Sequence, residues 1–222
     1  MANTVCITKN SIGKKILMGL TGLVWSGFVL THMLGNMLIF AGAEKFNMYS
    51  YKLTSLEILP LLEGFLVLML LVHVIFAIKL TLENKRARPQ GYAVAPSGPK
   101  RASAASRSMA YTGSLVLAFI ILHLVNFKYG AHYTATYNGL EVRDIYRVVI
   151  EAFQQPGYVA WYVLCLVLLG VHLSHGFSSS FQSLGINHPR YTPMIKKLGC
   201  IYSILVAGGF IAQPLYVFFV MR

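Results

Sequence analysis

Five of the seven histidines in this chain lie inside long apolar segments, where an imidazole is seldom placed without a function. They are His32, His73, His123, His172 and His175. An ionisable side chain inside a membrane-spanning segment is costly, so it usually belongs to a binding site, a proton path or a metal site. Imidazole suits all three, because it exchanges a proton near neutral pH and ligates metals through a ring nitrogen. We interpret the loop residues His132 and His188 as solvated surface.

The composition indicates a membrane protein. Hydrophobic residues make up 56% of the 222 residues and charged residues only 12%, whereas about a quarter of a soluble protein is charged. The net charge of +12 is concentrated in loops beside the apolar segments, which is an orientation signal, so we expect no nucleic-acid partner. Cys6, Cys165 and Cys200 form no CxxC pair, and we interpret them as packing residues.

Five apolar segments are long enough to cross a bilayer, which takes about 20 residues. We place these spans at about 16–41, 58–80, 109–129, 157–179 and 198–220. We therefore predict an all-α integral membrane protein in which residues 1–222 form one membrane domain. The first span follows several lysines, as in a signal peptide, but it is too long for one and is interpreted as retained. In the loop 130–156, apolar residues at helical spacing over 143–153 predict a short amphipathic helix on the outer surface.

The basic residues predict the orientation of the spans. The N-terminal tail and the loops after the second and fourth spans hold 13 of the 19 Lys and Arg residues and one acid, Glu83. The opposite side holds the other six basic residues and six acids. Because cytoplasmic loops are rich in Lys and Arg, we expect a cytoplasmic N-terminus and an external C-terminus.

With this orientation, four of the histidines fall into two layers. His32 and His123 lie about 14–16 residues into their spans, roughly 21–24 Å from the inner face. His73 and His172 lie about 7 residues before the inner ends of theirs, roughly 10 Å from that face. We call His32 and His123 the outer pair, and His73 and His172 the inner pair. The layers should lie roughly 10–15 Å apart.

Two layers of paired imidazoles match the needs of two six-coordinate haems, since each iron takes one axial nitrogen from each side. No CxxCH motif is present, so attachment would be non-covalent, as in haem b. Zinc fits less well, because a structural zinc site needs four ligands together and no cysteine accompanies either pair.

The motifs around these histidines resemble a known family, the single-subunit, five-helix, dihaem cytochrome b anchor of succinate dehydrogenases and fumarate reductases. The resemblance covers nearly the whole chain and rests on motif order and spacing. The motifs are Thr21-Gly22 ahead of His32-Met-Leu-Gly-Asn36, His73-x-x-x-Ala77-Ile-Lys79, and His172-x-x-x-Gly176 ending at Gly185 after Phe181-Gln182. The family pairs axial histidines of the first helix with the third and of the second with the fourth, as the depth argument does.

The resemblance implies a respiratory function in a bacterial cytoplasmic membrane. A flavoprotein and an iron–sulfur subunit, which carry the dicarboxylate chemistry of the tricarboxylic acid cycle, would dock on the cytoplasmic face. Electrons would pass from the iron–sulfur subunit through the inner and then the outer haem to a membrane quinone, expected to be menaquinone, or in reverse. The family links glutamates near the outer end of the second helix to the quinone, which makes Glu57 and Glu63 the candidates here.

Two histidines compete for the inner haem. His172 matches the depth of His73 and stands four residues before Gly176, as the family's ligand stands before a glycine. His175 would then lie one turn nearer the cytoplasm, with a role at a propionate or in proton transfer, or simply bonded to a carbonyl. The Ser178, Ser179 and Ser180 hydroxyls are further propionate donors, or helix caps.

Two other functions remain open at this stage. One is the dihaem quinol cytochrome b of another respiratory complex, such as a nitrate reductase or hydrogenase anchor. The other is a transporter without redox chemistry, in which the histidines relay protons.

Overall fold

The structure, a computed structural model, describes residues 10–87 and 103–221. Within these ranges the chain is mostly helical, and five helices are long and apolar enough to cross a membrane. The prediction of a multi-pass helical membrane protein is thus confirmed. Cys6 lies outside the described ranges, and so do five of the basic residues counted for the orientation, namely Lys9, Arg88, Lys100, Arg101 and Arg222.

The spanning helices are separated on one side of the bundle by shorter elements. In chain order the elements are α1 (Ser11–Asn36), α2 (Ala43–Thr54), α3 (Leu59–Arg86), α4 (Ala104–His123), β1 (Thr134–Tyr137), β2 (Leu140–Arg143), α5 (Ile145–Phe153), α6 (Pro156–Ser183) and α7 (Thr192–Val220). A 3-10 turn, Met37–Ala41, extends α1, and a π-helical turn, Leu124–Lys128, extends α4. The spans are α1, α3, α4, α6 and α7.

The predicted spans match the helices at one end and are too short at the other. At the expected outer side, every helix end lies within about one residue of its predicted position, whereas at the expected inner side every helix runs on for about four to six residues. The added turns hold polar residues such as Lys14, Glu83 and Lys196. Hydropathy detects only the part of a helix that crosses hydrocarbon, and backbone hydrogen bonding continues beyond it. The helix ends at the expected inner side therefore extend roughly 6–9 Å beyond the predicted spans.

Helix α6 lies at the centre of the bundle and packs against α1, α4 and α7, while α3 packs chiefly against α1. Where α1 crosses α6, Gly19 brings the two backbones close, since a Cβ there would lie 3.3 Å from the Ser180 carbonyl oxygen. Between α6 and α7, Cys165 and Val206 are almost completely buried. Contacts of this kind stabilise helices in a bilayer through close packing, because lipid tails are as apolar as the side chains.

Ion pairs tie α3 to its neighbours at both ends. At the expected inner end, the Lys14 ammonium of α1 donates to the Glu83 carboxylate, and Lys14 is buried. At the expected outer end, the Lys128 ammonium donates to the Glu63 carboxylate. Because α3 otherwise has few neighbours in the bundle, these two contacts help to fix its height and rotation.

The connections on the expected outer side fold into what we call the outer cap, made of α2, the β1–β2 hairpin and α5. The predicted amphipathic helix is confirmed as α5, but it buries Val148, Val149 and Phe153 against the rest of the protein. Helix α2 and the hairpin were not predicted. The hairpin does have a strong sequence signal, the dipeptide Asn138-Gly139, which type I′ turns prefer. Both residues have positive φ in the structure, as that turn requires.

A buried asparagine joins the three parts of the outer cap. The Asn47 amide of α2 is fully buried and donates to the Tyr137 hydroxyl at 3.0 Å and to the Asp144 carboxylate at 2.8 Å. Its carbonyl accepts from the backbone N–H of Tyr146 at 2.9 Å. One side chain thus holds the hairpin and the first turn of α5 onto α2.

Candidate functional site

The structure brings four of the spanning histidines together as two pairs. His32 of α1 lies beside His123 of α4, with ring centroids 5.8 Å apart. His73 of α3 lies beside His172 of α6, with ring centroids 6.4 Å apart. These are the outer and inner pairs expected from depth along the spans. Four helices therefore each contribute one ring, and α7 contributes none.

In the inner pair, each histidine contacts a threonine of the neighbouring helix. His73 Nδ1 lies 3.2 Å from Thr21 Oγ1 and 3.2 Å from the Met18 carbonyl oxygen, both on α1. His172 Nδ1 lies 3.2 Å from Thr112 Oγ1 on α4. The same contact therefore occurs twice, between α1 and α3 and between α4 and α6.

A glycine follows each of these threonines and lies against the same ring. A Cβ built on Gly22 would lie 3.4 Å from His73 Cε1, and one on Gly113 would lie 3.3 Å from His172 Cε1. A Cβ at Gly113 would be closer to the ring than most real Cβ contacts, whereas one at Gly22 would be at the edge of ordinary van der Waals contact. Each glycine therefore packs directly against the ring that its neighbouring threonine contacts.

The outer pair has aromatic neighbours in place of threonines. Phe28 stacks on His32 with centroids 5.3 Å apart, and Phe210 lies 5.8 Å from it. His123 is surrounded by three rings at 5.4–6.3 Å, namely Phe119, Phe127 and Tyr162.

The ring nitrogens of the outer pair also lack the contacts found in the inner pair. His123 Nδ1 is buried and has no hydrogen-bond partner among residues 10–87 and 103–221. The Asn36 amide nitrogen lies 3.4 Å from both ring nitrogens of His32 and donates a 2.8 Å bond to the carbonyl of the same residue. The outer rings are therefore held by packing more than by directed bonds.

Both pairs have the spacing that one metal ion between two imidazoles requires. Metal–imidazole bonds are about 2 Å long, so two rings that coordinate one ion from opposite sides have centroids roughly 6 Å apart. The observed separations are 5.8 and 6.4 Å. No three His, Cys, Asp or Glu side chains converge on a possible metal position within the described part of the chain. Two protein ligands per site are what haem iron takes, because the macrocycle supplies the other four nitrogens.

His175 lies outside both pairs, one turn beyond His172 on α6. Its ring is partly buried and makes no hydrogen bond to the described residues, while its carbonyl accepts from Ser178 Oγ at 3.2 Å. Ser180 Oγ likewise donates to the Gly176 carbonyl at 2.9 Å. These two serines are thus engaged by their own helix, which weakens their case as propionate donors.

The two quinone-site candidates differ in their surroundings. Glu57 is exposed in the turn before α3 and makes no ion pair with the described residues. Glu63 forms the ion pair with Lys128, which lies five residues after His123 on the extension of α4. The structure therefore places Glu63, and not Glu57, in contact with the helix that carries an outer-pair ring.

Sequence reasoning missed the second threonine, although a signal was present. Thr21-Gly22 stands eleven residues before His32, and Thr112-Gly113 stands eleven residues before His123. Each of these helices thus carries one outer-pair ligand candidate and one contact for the inner pair. A search for this internal repeat would have identified Thr112 and Gly113 as site residues.

No protein-family model, curated protein or solved structure matches this chain.

Proposed function

We propose that this chain is the dihaem cytochrome b anchor of a succinate:quinone oxidoreductase in a bacterial cytoplasmic membrane. The observation that carries the proposal is the presence of two histidine pairs, each with the ring spacing of a bis-imidazole iron site. The residues fit two haems, His73 with His172 for the inner one and His32 with His123 for the outer one. When bound, haem b carries one electron at a time between the ferric and ferrous states.

The helix ends support a cytoplasmic partner surface. The expected inner ends of all five spans project beyond the apolar segments and carry basic residues such as Lys15, Lys196 and Lys197. A projecting basic surface suits docking of an iron–sulfur subunit with its flavoprotein. The same charges would set the topology in any membrane protein with a cytoplasmic N-terminus, so their role in docking needs its own test.

The expected outer side is where we place the quinone, with menaquinone as the expected substrate. Glu63 is the stronger candidate for this site, because its ion pair with Lys128 brings it to the helix of His123. In this proposal the inner and outer pairs, expected in layers roughly 10–15 Å apart, would hold the two haems that exchange electrons. His175 would act at a propionate of the inner haem or in proton transfer.

Haem content tests the proposal directly. The full chain, purified in mild detergent, should show a b-type reduced-minus-oxidised spectrum and bind two haems per chain in a pyridine haemochrome assay. His32→Ala and His73→Ala should each retain one haem, while the loop variant His132→Ala, the matched control, should retain both. A wild-type chain that binds no haem would contradict the proposal and favour the transporter in which the histidines relay protons.

Partner subunits separate the proposal from its alternative, the dihaem quinol cytochrome b of another respiratory complex. Purification from the native membrane should recover a flavoprotein and an iron–sulfur subunit with succinate:quinone activity. His123→Ala should then block quinone reduction while succinate oxidation by artificial acceptors continues. Recovery with a nitrate reductase or hydrogenase subunit would select the alternative.

A further inference from the structure

Two buried threonines hold the rings of the inner pair. Thr21 and Thr112 are each 3% exposed, on α1 and α4. Buried polar groups are expected to be hydrogen-bonded, so the direction of each bond determines what the threonine does to its histidine.

The threonine protons are already used by the helices. Thr21 Oγ1 donates to the carbonyl oxygens of Leu17 and Met18, at 2.8 and 3.0 Å, and Thr112 Oγ1 to those of Ser108 and Met109, at 3.1 and 3.3 Å. A hydroxyl has one proton and two lone pairs. Each threonine oxygen is therefore left as an acceptor toward the imidazole.

The imidazole must then be the donor, which determines the tautomer. His73 Nδ1 also lies 3.2 Å from the Met18 carbonyl oxygen, which can only accept. His172 Nδ1 has the matching contact with Thr112. Both rings of the inner pair thus carry their proton on Nδ1 and keep the lone pair on Nε2, the nitrogen left for a metal.

A ligating histidine whose other nitrogen donates a hydrogen bond is a stronger electron donor and is fixed in orientation. Stronger donation favours ferric over ferrous iron and lowers the reduction potential of the site. The outer pair has no equivalent acceptor among the described residues, because His123 Nδ1 is unpaired there and the polar group found at His32 Nδ1 is the donor amide of Asn36, 3.4 Å away.

We propose that Thr21 and Thr112 are positioning residues that lock His73 and His172 in the Nδ1–H tautomer and lower the reduction potential of the inner haem selectively. The inference rests on the proposed function, since it requires a haem between these rings. It adds a means by which one bundle can tune two chemically similar bis-histidine haems separately.

The test is a redox titration of the purified full chain, followed by haem absorbance. Thr21→Val and Thr112→Val keep the side-chain shape and remove the acceptor oxygen. Each should raise the ferrous-to-ferric ratio of the inner haem at a given potential by about three- to tenfold, which is about 30–60 mV for a one-electron couple. The potential of the outer haem should stay the same, and Thr21→Ser and Thr112→Ser should restore the wild-type value.

Thr81→Val is the matched control, because Thr81 bonds to the Ala77 carbonyl on α3 and touches no histidine. Loss of the inner haem from the valine variants, with retention in the serine variants, would also support the positioning role. Two haems with unchanged potentials in both valine variants would overturn the inference and leave the proposed function standing. A wild-type chain without haem would instead defeat the proposed function.

Discussion

The inner and outer histidine pairs have similar ring separations in very different surroundings. In the inner pair, both Nδ1 atoms lie 3.2 Å from a threonine hydroxyl whose own proton is used elsewhere. In the outer pair, aromatic rings surround the imidazoles, and among the described residues no such acceptor lies at Nδ1. The separation of the rings follows from helix packing, whereas the hydrogen bonding follows from one residue on each neighbouring helix.

This difference shows how one bundle can hold two similar sites with different properties. A directed hydrogen bond acts on both the orientation and the electron donation of an imidazole, while aromatic packing acts mainly on its orientation and its access to water. Substitutions near the inner pair should therefore change the reduction potential of the proposed inner haem. Substitutions near the outer pair should instead change the stability of that site and the access of water to it.

The largest expected effect separates His172 from His175. His172→Ala should abolish the inner haem, because this ring is the one beside His73. His175→Ala, the matched control on the same helix, should retain both haems and change at most a potential or a pH dependence. Haem stoichiometry and the reduced-minus-oxidised spectrum of each variant provide the measurement. Retention of the inner haem in His172→Ala with its loss in His175→Ala would reverse the assignment.

The next largest effect concerns the outer cap. Phe153 of α5 packs on Phe127, which packs on His123, so the cap is in contact with the outer pair. Asn47→Ala would leave buried partners in the cap unsatisfied, at about 1–3 kcal/mol. We expect a lower melting temperature and earlier thermal loss of the outer haem than of the inner one.

The exposed Asn187, in the loop before α7, provides the control for that experiment. Its only side-chain bond among the described residues is with Thr192. Asn187→Ala should change stability by less than about 0.5 kcal/mol. Simultaneous loss of both haems from Asn47→Ala would show that the cap stabilises the whole bundle and not the outer pair in particular.

The sequence predicts the histidine pairs better than it predicts their surroundings. Depth along an apolar span places His32, His73, His123 and His172 in two layers, because helical rise converts residue number directly into height. The threonine contacts join residues far apart in the chain, and the only sequence signal for Thr112 is the eleven-residue spacing to His123 that repeats the spacing from Thr21 to His32. Helix α2 was missed for a related reason. Local patterning assigns a residue such as Asn47 to the surface, whereas contacts with distant parts of the cap bury it.

A smaller effect should distinguish Glu63 from Glu57 at the outer side. Glu63→Gln removes the charge paired with Lys128 and should lower quinone reduction by up to about tenfold, below the 10²–10⁴-fold typical of a full general acid or base. Glu57→Gln, which removes an exposed carboxylate without an ion pair, should have almost no effect. Steady-state rates with a menaquinone analogue provide the measurement, and equal rates for both variants would remove Glu63 from the quinone site.

The smallest expected effect is a pH dependence of the outer cap. The hydrogen bond from Arg147, at 2.7 Å, and a second from Tyr133 hold the pKa of the Glu151 carboxyl below its ordinary value. A lowered pKa in the folded protein contributes stability above the ordinary carboxyl value, about 4.3, and that contribution is lost as the pH falls through the lower folded pKa. Glu151→Gln should therefore melt slightly below wild type at pH 7, and this difference should shrink as the pH falls below about 4.3. The change in melting temperature should be smaller than that of Asn47→Ala, because the charges of Arg147 and Glu151 are exposed to water.

Glu141→Gln on β2 is the control, because this carboxylate has no ion pair with the described residues. Its difference in melting temperature from wild type should not depend on pH in this way. A difference between Glu151→Gln and wild type that stays constant as the pH is lowered from 7 through the acid range would mean that Glu151 stabilises the cap through packing and not through its charge.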